Sequence, residues 1–299
     1  MPIRVFNGGI GGDTAYDMNK RLDGDIFSKN PTVLMVTFGM NDSGYYEYNG
    51  DNAKEFGEQK YQESIKNFQQ MEKRFKELPH TRIVMTGTSP YDETAQIKDN
   101  TVFKKKNETI KRIIEYQRES AARNGWEFTD WNAPMVAINQ ELQQKDPSFT
   151  LCGNDRIHPD NDGHMVMAYL FLKAQGLAGN EVADVTIDAN DSKAINHKNC
   201  KISKLKKEEG SLSFDYLAKA LPYPLDSIPR HGWGNKRSQR DAMRLVPFME
   251  EFNQERLQIA NLEDGLYRLT IDGLLIDEVS SERLANGINL ADYPNTPQY

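Results

Sequence analysis

The chain has 299 residues, enough for two domains of ordinary size or one large domain with an appendage. Charged residues make up 27% and hydrophobic ones 38%, with 13 Tyr, 13 Phe and 3 Trp, a composition too apolar and aromatic for a disordered chain. Lys and Arg number 37 against 44 Asp and Glu, a net charge of −7, and no long basic block is present to neutralise phosphates, which argues against nucleic acid as a partner. No apolar run approaches the roughly 18 residues that a membrane helix needs, and residues 1–15 lack the charged-then-apolar layout of a signal peptide. Cys152 and Cys200 are too few and too far apart for a disulfide framework or a zinc cluster, so the redox compartment stays open and no cofactor is expected.

In chain order, the first half alternates short β-rich runs with helical patterns, which predicts a parallel sheet wrapped by helices, an α/β domain over residues 1–178. Residues 3–7 read as a strand running into glycines. Residues 32–38 (TVLMVTF) read as an apolar strand covered on both faces, residues 82–86 (RIVMT) repeat that pattern, and residues 127–130 form a shorter strand. Helical spacing covers residues 61–78 and 104–123, the latter stopped by Asn124-Gly125, and a last helix covers residues 165–173. From residue 179 onward the texture changes to alternating segments, 182–187, 211–216 and 267–271, with a helix-like insert over 239–258. This predicts a β-containing domain over residues 179–299, in which the charge run 204–209 (KLKKEE) forms a solvated hairpin edge.

Three loops could carry chemistry, because each follows a predicted strand or precedes the last helix, where open α/β sheets hold ligands. Residues 7–14 (NGGIGGDT) place four glycines in eight residues, so backbone N–H groups can approach a ligand closely. A dinucleotide fingerprint fails there, since Thr14 stands where the last Gly would be. Residues 39–42 (GMND) put Asn41 directly after the apolar strand, where its amide can aim at a developing oxyanion; Asn and Asp are equally common as turn formers. Residues 155–164 (DRIHPDNDGH) set Asp155 three residues before His158, close enough to orient the imidazole and leave its other nitrogen free as a general base. A metal reading of His158, His164 and the nearby Asp residues lacks a third His or Cys.

Together these loops resemble the SGNH hydrolases, the GDSL family of esterases and lipases. The resemblance covers roughly residues 1–178 and rests on Gly11-Gly12-Asp13-Thr14, on Gly39-x-Asn41-Asp42, and on Asp155-x-x-His158-Pro159 followed by Gly163-His164. It implies a three-layer α/β/α parallel sheet and a serine-type ester hydrolase. Gly12 (backbone N–H) and Asn41 (side chain) would be the oxyanion donors, His158 the general base and Asp155 its orienter. The family's nucleophilic serine belongs to a Gly-Asp-Ser block on a first strand, and no Gly-Asp-Ser occurs here. The expectation is therefore an N-terminally incomplete hydrolase with its first strand missing, nearly inactive as it stands; Ser43 and Ser89 lie in no nucleophile-elbow pattern. The alternative is a non-catalytic carbohydrate-binding protein that keeps the hydrolase shell. The stretch 266–299 is similar to a carboxy-terminal module of some bacterial members. Such members are commonly exported and act on acylated carbohydrate, which implies an extracytoplasmic site and a small-molecule or carbohydrate ester as partner.

The loop 43–50 (SGYYEYNG) is polar and tyrosine-rich. Tyr45 and Tyr46 suit the face of a sugar better than a long acyl chain, or pack locally. His80, His197, His231 and Trp233 have no supporting neighbours in sequence and read as structural or surface residues.

Overall fold

A computed structural model describes residues 3–98, 100–230 and 232–299; His231 lies outside them. The chain packs as two units, Met1–Ala174 with Ile228–Ala242, and Gln175–Ser227 with Met243–Tyr299. The boundary expected at 178/179 thus differs from the structure chiefly in one place: a strap, Ile228–Ala242, returns to the first unit.

The first unit runs α1 (Ala15–Arg21), β1 (Val33–Phe38), α2 (Ala53–Phe75), β2 (Arg82–Gly87), α3 (Lys106–Asn124), β3 (Glu127–Asp130), α4 (Asn132–Gln143) and α5 (Asn161–Ala174). The three strands form one parallel sheet in the order β1-β2-β3, with Val33 opposite Arg82 and Val84 opposite Glu127. Each crossover is a helix, as parallel neighbours require. One sheet face builds the main core: Leu34, Val36 and Phe38 from β1 with Ile83 and Met85 from β2, packed with Phe68, Met71 and Phe75 of α2 and Ile113 of α3. The α3 helix ends where Asn124-Gly125 predicts, Gly125 taking a left-handed conformation and donating back to Ala121 and Ala122.

Two expectations fail here. Residues 3–7 are not a strand: Ile3 is 90% and Val5 88% exposed, and they pair with no strand among the described residues. β1 is not covered on both faces either, since it alternates, with Val33 48% and Met35 47% exposed. β1 is thereby left as the edge strand with one open face, whereas β2 is flanked on both sides and buries Val84 and Thr86 as well.

The second unit holds β4 (Ala183–Asp188), β5 (Lys193–Lys198), β6 (Cys200–Glu208), β7 (Ser211–Ala218), α6 (Phe248–Phe252), β8 (Glu255–Ala260), β9 (Leu266–Ile271), β10 (Leu274–Ser280), α7 (Ser281–Asn286) and β11 (Ile288–Asn289). A four-stranded sheet, β11-β8-β4-β5, is joined by the hairpins β6-β7 and β9-β10. Its core includes Val185, Ile187, Leu257, Ile259 and Val279. The charge run does lie on the hairpin β6-β7, but the helix expected over 239–258 is a 3-10 turn, the short α6 capped by Pro247 and Asn253, and then β8.

Candidate active site

The glycine loop and the Asn41 loop are knotted together by Asp42. Its buried carboxylate accepts from the Ala15 N–H (3.0 Å) and the Ser64 hydroxyl (3.0 Å) through Oδ1, and from the Gly39 N–H (3.1 Å) through Oδ2. Burial raises its pKa, and these three bonds work against that rise. The block pairing Asn41 with Asp42 therefore joins the start of α1, the end of β1 and α2. At the start of α1 the Asp17 carboxylate accepts both the N–H and the hydroxyl of Thr14, which lowers its pKa.

Asn41 donates through Nδ2 to the Asp13 carbonyl (3.0 Å) and accepts at Oδ1 from the Tyr45 hydroxyl (2.6 Å). Its amide is thus held from both ends, beside the turn that carries Gly12. Gly12 has φ +88, a conformation that suits glycine, and its exposed N–H has no partner among the described residues. Tyr45 is turned inward: it edges onto Phe103 at 6.1 Å, and burial, then the charge of Asp155, push its pKa up to about 12. Tyr46 is exposed and rests on Phe103 at 5.4 Å. Beneath the loop, Lys106 is fully buried and its ammonium donates to the Met40 carbonyl (2.6 Å), the Ser43 hydroxyl (2.6 Å) and the Gly44 carbonyl (2.5 Å). Burial lowers the Lys106 pKa to about 7, while the charges of Asp42 and Glu93 act the other way.

On the third loop, His158 Nδ1 lies 2.5 Å from Asp155 Oδ2, and Asp155 Oδ1 accepts the N–H groups of Ile157 (2.9 Å) and His158 (3.0 Å). This turn fixes the carboxylate against the ring. Between them Arg156 adopts φ +69, which sends its side chain into the protein, where the guanidinium donates to the carbonyls of Asp92 (3.1 Å) and Ala95 (2.7 Å) and to Asn100 Oδ1 (2.9 Å). The side chain of His158 is 48% exposed, and its Nε2 has no hydrogen-bond partner among the described residues. Met40 and Ile157, neighbours of Asn41 and His158, pack against one cluster of Tyr91, Ile110 and Ile114, so both loops stand on a shared floor.

Sequence reasoning missed the strap. Trp233, read from sequence as structural or surface, stacks on the His158 ring at 3.9 Å and 14°. Asp160 and Asp162, two and four residues beyond His158, hold the strap: Asp160 accepts the N–H groups of Gly232, Trp233 and Asn235, and Asp162 binds the Asn235 amide and Arg237 (2.6 Å each). No local signal announces this, because the partners lie about 75 positions apart. Those bonds also occupy the carboxylates that the metal reading needs, and no group of three or more His, Cys, Asp or Glu among the described residues is placed to hold a metal ion. His164, in the first turn of α5, has its pKa lowered chiefly by burial. Ser43 and Ser89 are buried, and Cys152 is buried with its thiol pKa pushed up and its Sγ donating to the Pro90 carbonyl, so none presents a nucleophile to solvent.

Residues 1–166 match the family described as GDSL-like lipase/acylhydrolase. The chain belongs to that family. A solved structure described as BT4096, a gut microbial diltiazem-metabolizing enzyme, is 79% identical with a TM-score of 0.95, covering 100% of this chain and 67% of its own. Its fold is the α/β sheet flanked by helices with a β-rich region that this chain shows. An acetylxylan esterase of Geobacillus stearothermophilus is 25% identical over 175 residues, 58% of this chain and 73% of its own length. The solved structure of Axe2, an acetylxylan esterase from Geobacillus stearothermophilus, is 21% identical with a TM-score of 0.43, covering 55% of this chain and 68% of its own.

Proposed function

We propose that this chain is an ester hydrolase acting on short acyl groups, above all acetyl, of small-molecule esters, with His158 as general base, Asp155 as its orienter, and the Gly12 N–H and Asn41 amide as oxyanion donors. The observation that carries the reading is the Asp155–His158 pair at 2.5 Å with Nε2 left open on an exposed ring. Asp155 holds the proton on Nδ1, which leaves Nε2 basic toward an incoming hydroxyl. An unpaired Gly12 N–H beside a fixed Asn41 amide is the kind of donor set that stabilises developing charge on a carbonyl oxygen, roughly 3 to 4 kcal/mol for each donor of this type. The small-molecule substrate is supported by the 79% identical relative, whose description names diltiazem; acetylated carbohydrate is supported by the more distant acetylxylan esterase.

With no hydroxyl on Nε2 among the described residues, the nucleophile open to His158 in this chain is a water molecule. A water lacks the fixed attachment of a serine and surrenders much of the proximity advantage, so turnover is slow. The test is acetate release from 4-nitrophenyl acetate, diltiazem and acetylated xylo-oligosaccharide, with and without His158→Ala. Slow release lost with His158 supports the reading. Turnover near a typical enzymatic 10 per second shows that another nucleophile serves the site. Binding of the oligosaccharide without any His158-dependent release favours a carbohydrate-binding protein that keeps the hydrolase shell.

A further inference from the structure

Trp233 is built into the site. The indole lies nearly parallel to the His158 imidazole, 3.9 Å between ring centres, yet 47% of the residue remains exposed. One face of the indole is against the imidazole. Its indole N–H has no hydrogen-bond partner among the described residues. The backbone beneath is fixed on both sides: the Trp233 N–H goes to Asp160, and its carbonyl accepts from the Asn154 N–H (2.8 Å). Gly234 takes φ +94, and a side chain there would strike Asn154; a side chain on Gly153 would lie 2.7 Å from the Trp233 Cβ. Arg237 completes the anchorage through Asp162 and the Thr150 carbonyl (2.5 Å). A half-exposed tryptophan carried on so fully bonded a backbone loses little freedom when a ligand lands on it, which is the condition under which aromatic groups give affinity.

We propose that Trp233 is a specificity-determining residue, an aromatic shelf beside His158 that favours acyl esters whose alcohol or phenol part is a flat ring over those of flexible aliphatic alcohols. The proposal rests on the reading of His158 as the base of an ester-hydrolysing site. A group brought to Nε2 comes to the imidazole on which the indole is stacked, and a flat ring can pack against the indole while the indole N–H meets a polar substituent. An alkyl chain gains only ordinary contact. The preference expected from one such stack is about three- to tenfold.

The experiment separates binding from turnover. Acetanilide, an uncleaved amide counterpart of phenyl acetate, and N-ethylacetamide, which lacks the ring, are titrated calorimetrically into the whole chain, into Trp233→Phe and into Trp233→Leu. Acetanilide is expected to bind about three- to tenfold tighter than N-ethylacetamide to the parent chain. Much of that ratio is expected to survive in Trp233→Phe, which keeps a flat ring, and to collapse to near one in Trp233→Leu, which keeps bulk alone. The proposal is overturned by equal binding of the two amides to the parent chain, by a ratio undiminished in Trp233→Leu, or by binding of neither amide. The same comparison with phenyl and ethyl acetate reads kcat and KM separately, the ring preference falling on KM. Ester turnover in the parent chain that is unchanged by His158→Ala, or is absent, alongside an intact acetanilide ratio refutes the base role of His158 and leaves the shelf standing.

Discussion

Asp155 acts on the His158 ring and Lys106 on the Asn41 loop, and each gives a different measurement. Asp155 touches His158 through Nδ1 and carries no other side-chain contact in its turn. Replacing it with Asn keeps the size and removes the charge that favours the Nδ1 proton, so Asp155→Asn is expected to lower His158-dependent acetate release about a hundredfold or more with little change in melting temperature. An unchanged rate assigns the orienting role elsewhere. Lys106 holds the Asn41 loop from below, and burial brings its pKa to about 7 from an ordinary 10.5. Between those values the unfolded chain binds the extra proton, so stability rises with pH from about 7 toward 10.5, and below 7 the cost of burying the cation is present in full. Urea unfolding across that window is expected to show this rise and to lose it in Lys106→Met. The groups that bear on the ammonium are Asp42 and Glu93, whose charges oppose the shift without reversing it.

Elements with a strong local period or stop signal were legible, and features set only by distant contacts were not. β2, β3, α3 with its Asn124-Gly125 stop, and the hairpin β6-β7 follow from local period and turn residues. Residues 3–7 have a strand's composition and no strand, because composition records propensity while pairing needs a neighbour. The same gap hid the true pattern of β1, whose run of apolar residues conceals an alternation in burial. Among the site residues, the Asp155–His158 pair was readable because the turn that forms it spans four residues. The roles of Asp42, Lys106 and Trp233 were not, since Ser64, Ser43 and His158, which they meet, lie 22, 63 and 75 positions away. The alternation on β1 has a measurable consequence. Leu34 belongs to the main core and Met35, next to it, is 47% exposed. Leu34→Ala is expected to cost about 2 to 5 kcal/mol in urea unfolding, and Met35→Ala under about 1 kcal/mol. Equal costs would mean that the outer face of β1 is covered in solution.

At the scale of the whole molecule, the decisive fact is that the chain does not complete its first unit in one pass. A boundary drawn where the sequence texture changes, after residue 178, leaves out Ile228–Ala242, which belongs to that unit. The strap supplies three N–H groups to Asp160 and both partners of the fully buried side chain of Asp162. Cutting it away returns two carboxylates to water, forfeits their charge-assisted bonds and uncovers one face of His158. Losing charge-assisted bonds of this kind costs about 1.5 to 3 kcal/mol each. Cys152 offers the readout, since it is a free, buried thiol on the same loop whose pKa burial pushes up, so it reacts only when its surroundings open. In a Cys200→Ser background, the rate at which a thiol reagent labels Cys152 is expected to rise a hundredfold or more in residues 1–178 alone, a factor corresponding to about 3 kcal/mol. A separate peptide covering 228–242, supplied in excess, should restore protection in proportion to its occupancy. The same peptide with Asn at position 237 in place of Arg should restore less, because the Asp162 charge then loses its cationic partner. Full protection of Cys152 in residues 1–178 without the peptide would mean that the loop carrying His158 holds its shape unaided, and the strap would then serve the ligand alone.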